Sequence, residues 1–366
     1  MKVAIVCDWL TNVGGAEKVL LAIHKLFPDA PIYTSKYDPK GIDWFLDAEI
    51  KTGWLQIFPT SWRRVLGVLR QLWFSHLNLS DYDLVISVTG AEAKAVKVPN
   101  GVHICYCHVP TQYYWQMEED YKKDPGFGIL SPVVKFFFKL LVGPLKRADF
   151  KAAQRPDYYV TISKYARELI KKYYKRDAVI INPPVETEDF SAACGKPVEN
   201  FYMVSSRQVT WKKLDLAVLA CKKLDKQLLV VGEGSEHKKL VQLAEGSKLI
   251  KFLPLTKKKK LAEYLASAKG YLFPSLEPFG IAPVEALAAG CPVIAFSEGG
   301  STDYVKDGKN GVLFKEQTVD SLAEAIERFE KMEFKREAVS KTAEKFSVER
   351  FNQELMEFVK THEEKK

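Results

Sequence analysis

Short, unbroken apolar runs recur along this chain, separated by stretches of helical periodicity. The runs lie at 3–7, 84–88, 103–107, 158–162, 179–181, 201–204, 227–231, 249–253, 271–273, 293–296 and 312–314. Most are continuous rather than alternating in polarity, the pattern of parallel strands covered on both faces. Between them, 16–27 places Val19, Leu20, Ile23, Leu26 and Phe27 on one side of a helix; 214–224 and 322–329 repeat that periodicity. Such alternation predicts an α/β fold with parallel sheets. It breaks at Asn182-Pro183-Pro184-Val185 and restarts at Phe201. Two prolines neither continue a ladder nor enter a helix interior. A chain of 366 residues is also too long for one ordinary domain. The expectation is therefore a domain over 1–182 and another over 186–345. Two doubly wound domains facing each other would form a central cleft at the carboxyl ends of their strands, where open α/β sheets bind ligands.

Charge narrows the partners. Lysine and arginine exceed aspartate and glutamate by 54 to 46, a formal +8. Nucleic acid, anionic lipid or a phosphorylated substrate would each answer that excess. No apolar window of about 18 residues runs without a charge, so no spanning helix is expected. The N-terminus lacks the pattern of a secretory signal. Six cysteines sit mostly in apolar contexts, and Cys105-Tyr106-Cys107 has no second pair beside it, so neither a disulfide framework nor a zinc site is expected. Together these point to a cytoplasmic location. Lys257–Lys260 reads as a solvated face or as a source of one ligand-facing cation.

Two segments carry chemistry. Gly14-Gly15 follows the first strand and opens the helix at Ala16. Glycines let a ligand approach the backbone, and a helix N-terminus offers N–H groups to an anion. A plain structural turn explains the pair equally well. The stronger signal is Pro274-Ser275-Leu276-Glu277-Pro278-Phe279-Gly280-Ile281-Ala282-Pro283-Val284-Glu285. A strand ends at Phe273, a loop carries Glu277, and a helix begins near Ile281. The N–H groups of Phe279, Gly280 and Ile281 then suit phosphate oxygens. Glu277 suits sugar hydroxyls and Glu285 a ribose diol, because a carboxylate accepts two strong hydrogen bonds.

This segment resembles the paired-glutamate motif of the retaining glycosyltransferases of family 4, which have the GT-B fold of two Rossmann-like domains. Further segments resemble the family in the same order. They are Gly14-Gly15-Ala16-Glu17-Lys18, Ser206-Arg207-Gln208-Val209-Thr210-Trp211-Lys212-Lys213, Gly299-Gly300-Ser301-Thr302-Asp303, and Phe346-Ser347-Val348-Glu349-Arg350-Phe351. Ser206 stands where the family often has glycine, and Asp303 replaces its glutamate. Tyr106-Cys107-His108-Val109-Pro110-Thr111-Gln112-Tyr113-Tyr114-Trp115, with Ser163-Lys164-Tyr165, resembles the subfamily similar to bacterial O-antigen mannosyltransferases. Gln112 stands where that subfamily has arginine, and an amide supplies no charged fork.

The resemblance implies transfer of a hexose, mannose favoured, from a GDP- or UDP-linked sugar to a hydroxyl, with retention at the anomeric carbon. The acceptor would be a glycan on a polyprenyl diphosphate, in cell-surface polysaccharide synthesis. Arg207 and Lys212 would meet the diphosphate charge, His108 and Glu277 the sugar, and Glu285 the ribose. Gly14, Gly15, Phe279, Gly280 and Ile281 would supply N–H groups, and 252–255 would line the base pocket. No metal or other cofactor is expected, and 346–366 would cross back to the first domain. A nucleotide-sugar epimerase on the same fold and a non-catalytic glycan-binding protein are the alternatives. No motif supports nucleic acid. Two basic, apolar segments, 62–74 and 133–146, suit either a helix lying on an anionic membrane, at the inner face of the cytoplasmic membrane, or ordinary packing.

Overall fold

In the computed structural model the apolar runs form two wholly parallel sheets. All residues except 61, 63–65, 124–130 and 364–366 are described. The first sheet holds β1 (Val3–Cys7), β2 (Ile32–Thr34), β3 (Ile50–Thr52), β4 (Leu84–Thr89), β5 (Val102–Cys107), β6 (Tyr158–Thr161) and β7 (Val179–Ile180). Its order is β3-β2-β1-β4-β5-β6-β7. The second holds β8 (Phe201–Ser205), β9 (Gln227–Val231), β10 (Ile250–Leu253), β11 (Gly270–Phe273), β12 (Val293–Phe296) and β13 (Gly311–Phe314), in the order β10-β9-β8-β11-β12-β13. The continuous apolar runs have the physical cause expected of them: every residue of β4, β5, β11 and β12 is buried. The reading of the sequence missed β2 and β3. Each has three residues, too few to show a period, and β3 buries none of them.

Each sheet belongs to its own unit. One unit is Met1–Asn182 with Asn352–Lys366, and the other is Pro183–Phe351. The helix Val348–His362 returns the chain to the first unit. There the Tyr158 ring packs edge-on against Phe358 and His362. In the second unit, helices Leu214–Lys223 and Val319–Glu330 bury Leu216, Val218, Leu322 and Ile326 in one core with Val204, Leu228 and Ile294.

The strand orders fix where ligands can bind. In the second sheet the chain runs from β8 outward to β10, then returns to place β11 on the other side of β8. The loops after β8 and β11 therefore diverge at their carboxyl ends, and the crevice between them is the switch point at which open α/β sheets take ligands. The first sheet has the same feature between β1 and β4.

Candidate functional site

At the switch point of the second unit, β8 delivers Arg207 and Lys212, and β11 delivers Ser275, Glu277 and the helix Ile281–Ala288. Lys212 Nζ lies 2.5 Å from Glu277 Oε1, and both side chains are largely enclosed, at 14% and 13% exposure. Ser275 Oγ donates to the same oxygen at 2.8 Å. Glu277 Oε1 is thus anchored, while Oε2 accepts no hydrogen bond among the described residues. Arg207 is exposed and has no ion pair among the described residues. Its guanidinium lies 5.9 Å from the Trp211 ring, and Lys212 Nζ lies 4.5 Å from that ring. Trp211, itself 43% exposed, is a shared face for both cations. The next residue, Lys213, is left-handed at φ 54, a conformation that costs an L-residue about 1–2 kcal/mol. It closes the short turn Thr210–Lys212.

The loop that carries Glu277 is shaped by close packing. Gly280 has φ 90 and is the N-cap of Ile281–Ala288, with no side chain capping that end. A Cβ on Gly280 would lie 2.6 Å from Phe273 and 2.8 Å from the Tyr304 hydroxyl. The Phe279 ring is buried against Tyr304 and Phe346, so only its backbone is left to meet a ligand. Glu285, one turn into the helix, is 8% exposed. Tyr271 hydrogen bonds Ser205, and its phenol is pushed up by burial and by the charges of Glu277 and Glu285, so both carboxylates stand near it. The Gly299-Gly300 pair buttresses this loop. Gly300 N donates to Glu277 O at 2.8 Å, and a Cβ on Gly300 would lie 2.4 Å from Phe279 Cα. Gly299-Gly300 therefore shapes the site from behind.

Three participants went unread in the sequence. Gln208 is fully buried, donates to Gly232 O at 2.6 Å and meets His237 Nδ1 at 2.7 Å, which fixes the Arg207 loop. Gly232 and Gly234, after β9, would bring a Cβ to 2.2 Å and 2.3 Å from the carbonyls of Ser206 and Gln208. A glycine pair directly after a strand is the signal that could have revealed them. At 252–255, Phe252 packs on His237 and Leu255 is 85% exposed. Of the lysine run, Lys258 pairs with Glu186 and Asp189, and Lys260 with Glu263, all on the surface; this favours the solvated face.

In the first unit, the loops after β1 and β4 are tied together by Asp8. Its carboxylate accepts from Thr89 Oγ1, Gly90 N and Ala93 N at 2.8–3.0 Å. Gly14 is the N-cap of the helix Gly15–Leu26, again with no side-chain cap. Its φ of −163 is ordinary extended backbone, so glycine is not required there by conformation. His108 follows β5 and is half-buried, and its enclosed Nε2 has no partner among the described residues. Desolvation lowers its pKa to about 4, so the imidazole is neutral at pH 7. An unfolded histidine titrates near 6.5. Between those values the unfolded state binds more protons, so this contribution to stability is lost as pH falls from about 6.5 toward 4. Urea unfolding should show the native chain losing about 1 kcal/mol per pH unit relative to His108→Asn between pH 6 and 5. A gap that does not change with pH would contradict an enclosed, neutral His108.

One expectation is corrected. Arg70, read as a cation for a lipid surface, is 3% exposed. It pairs with the fully buried Glu92 at 2.9 Å, beneath the Trp9 ring. A buried carboxylate demands such a counter-ion. Arg63 and Arg64 lie outside the described residues. Among the described residues no group of three or more His, Cys, Asp or Glu is placed to hold a metal ion, and no helix is long and apolar enough to cross a membrane.

Residues 185–346 match the sequence model of the family described as Glycosyl transferases group 1. An uncharacterized glycosyltransferase of Methanocaldococcus jannaschii is 27% identical over 199 residues, 54% of this chain and 56% of that protein. The alpha-1,3/1,6-mannosyltransferase ALG2 of Dictyostelium discoideum is 38% identical over 92 residues, 24% of this chain and 22% of that protein. The chain thus spans about half the length of the first relative and about a fifth of the second. The Anabaena protein HepE, solved in complex with UDP, superimposes with a TM-score of 0.70 at 19% identity, covering 99% of this chain and 100% of that one. Likeness at that identity speaks for the fold alone: the GT-B architecture of Rossmann-like domains.

Proposed function

We propose that this chain is a retaining glycosyltransferase. It moves a hexose, mannose favoured, from a nucleotide-diphosphate sugar to a hydroxyl of a lipid-linked glycan, in cell-surface polysaccharide synthesis. The observation that carries this reading is the Lys212–Glu277 pair at the β8/β11 switch point, beside an Arg207 with no ion pair among the described residues and a helix N-terminus with no side-chain cap. A diphosphate needs cations and N–H donors, and a sugar needs a carboxylate held in one place. Both sets converge on one crevice. The match of 185–346 to the glycosyl transferases group 1 supports the class. The ALG2 relatives and the segment resembling O-antigen mannosyltransferases favour mannose, and so GDP-mannose. The UDP bound by HepE supports a nucleoside diphosphate as the leaving group.

In the proposed step the bond from the anomeric carbon to the diphosphate breaks, and its electron pair leaves with the phosphate oxygen. The acceptor oxygen bonds to the same face of that carbon, and its proton goes to the departing diphosphate. Charge grows on the leaving group, so cations that meet it there lower the barrier. Arg207 is free to do so. Lys212 has two donors left after serving Glu277, so it links sugar recognition to charge neutralisation. Glu277 Oε2 accepts from a sugar hydroxyl, and Glu285 from the ribose. Neutral His108 serves as a hydrogen-bond partner and not as a charge.

A panel of GDP- and UDP-linked sugars, read by thermal shift and by release of nucleoside diphosphate, tests the class. One donor should stabilise the chain and release its nucleoside diphosphate when a glycan acceptor is added. Binding of none would overturn the assignment. An altered sugar configuration in the recovered donor, with no transfer, would favour an epimerase.

A further inference from the structure

The helix Ser131–Ala152 in the first unit is built in two halves. Its C-terminal half is fixed in the domain: Val142, Asp149 and Ala152 are its buried residues. Its N-terminal half, eleven residues or about 16 Å of helix, buries none. That half is nonetheless apolar. Val133, Phe136, Phe137 and Leu140 are 55%, 65%, 52% and 63% exposed. Their spacing of three and four residues puts them on one face. Four large apolar side chains left in water on adjoining turns form a patch, and isolated exposed residues do not.

The charge on the helix selects what covers that patch. It carries Lys135, Lys139, Lys146, Arg147 and Lys151 against one acid, Asp149. Asp149 is buried and paired with Lys94, and Lys146 is paired with Glu118. Lys135, Lys139, Arg147 and Lys151 have no ion pair among the described residues. Arg147 and Lys151 continue the exposed stripe, seven and eleven residues beyond Leu140, about 10 and 16 Å along the axis. A second copy of this chain would set this positive face against itself. An anionic bilayer instead takes the apolar end into its acyl boundary and meets the basic end with headgroups.

We propose that this helix docks the protein on an anionic lipid surface. Val133, Phe136, Phe137 and Leu140 enter the interface, and Lys139, Arg147 and Lys151 lie at headgroup level. The helix is tilted, with its N-terminal half the deeper. Helix Gly67–His76, which packs against it, adds exposed Val68 and Leu72 in the same unit. This surface goes beyond the proposed chemistry and does not depend on which sugar is moved.

Co-sedimentation of the full chain with phosphatidylcholine vesicles, with and without 30% phosphatidylglycerol, tests it. The native chain should bind the anionic vesicles at least tenfold better than the neutral ones. The triple variant Phe136→Ser, Phe137→Ser, Leu140→Ser should lose at least tenfold of that binding. Arg147→Glu with Lys151→Glu should abolish the preference for phosphatidylglycerol. These side chains are exposed, so melting temperatures should stay within a few degrees; a triple variant that does not fold is replaced by Phe136→Ser alone, with a proportionate loss. Equal binding to both vesicle types, unchanged binding of the variants, or a dimer that the triple variant dissolves would each overturn the proposal. Donor binding in solution should be the same for all variants, which separates failure here from failure of the proposed chemistry.

Discussion

Replacing Arg207 with alanine is expected to lower turnover by about 100- to 1,000-fold, the range seen when one preorganised transition-state donor is lost. Donor binding should change far less, because in the proposed step the charge that Arg207 would meet is small in the bound donor and grows as the glycosidic bond breaks. The geometry makes this a clean experiment. Arg207 is exposed and has no ion pair among the described residues, and its guanidinium lies beside the exposed Trp211 ring. Its removal should therefore leave stability within about 0.5 kcal/mol. Arg207→Lys should keep part of the rate, since a point charge remains but the planar fork is gone. Lys212→Ala would be a poorer test. It strips Glu277 of its counter-ion, so lost positioning is mixed with lost charge. Single-turnover release of nucleoside diphosphate, with donor affinity measured separately, reads both quantities. A rate within a few-fold of native for Arg207→Ala would remove this residue from the chemistry.

What the sequence disclosed, and what it hid, follows from range. Strand β1 and the helix Gly15–Leu26 are local patterns, and so is the loop with Glu277 and Glu285 between a strand and a helix. Periodicity within ten or so residues is enough to read them. The ion pair of Lys212 with Glu277 joins residues 65 apart, and both residue types occur throughout the chain. Only the adjacency of β8 and β11 brings them together, and strand order is not a local property. The Gly299-Gly300 pair was legible as a motif, but its work is steric and concerns Glu277 and Phe279, which lie on another loop. Arg70 shows the reverse error. At helical spacing among tryptophans and leucines it looked like an interfacial cation; the fold turns it inward because Glu92, buried in the loop after β4, needs it. Composition counts charges but cannot say which of them are already spoken for.

Asp149→Ala is expected to destabilise the first unit by about 3–5 kcal/mol, the cost of stripping a buried ion of its partner. Lys94 and Asp149 are 1% and 0% exposed, 2.6 Å apart. Burial alone would push the Lys94 pKa down, but Asp149 reverses this and holds the ammonium charged. The same carboxylate accepts from Thr111 Oγ1 at 2.9 Å, Trp115 Nε1 at 2.7 Å and the Tyr174 hydroxyl at 2.8 Å. Asp149 lies on the helix Ser131–Ala152, and Thr111 and Trp115 lie on the loop that begins at His108. One buried carboxylate thus fastens that loop to that helix. Asp149→Asn keeps the shape and part of the hydrogen bonding, so its loss should be smaller. The double change Lys94→Met, Asp149→Leu should recover much of the stability, because the larger cost is the uncompensated charge and not the missing pair. Urea unfolding of the full chain, followed by tryptophan fluorescence, measures all three. A loss below about 1 kcal/mol for Asp149→Ala would mean that Lys94 reaches water when Asp149 is removed, whereas no recovery in the double variant would mean that the hydrogen bonds of Thr111, Trp115 and Tyr174, and not the bare ammonium, set the cost. The His108 loop is held besides by the Thr111 amide, which donates to the Tyr174 hydroxyl at 3.0 Å, and by the Trp115 ring, tilted against Tyr173 and edge-on to Tyr174.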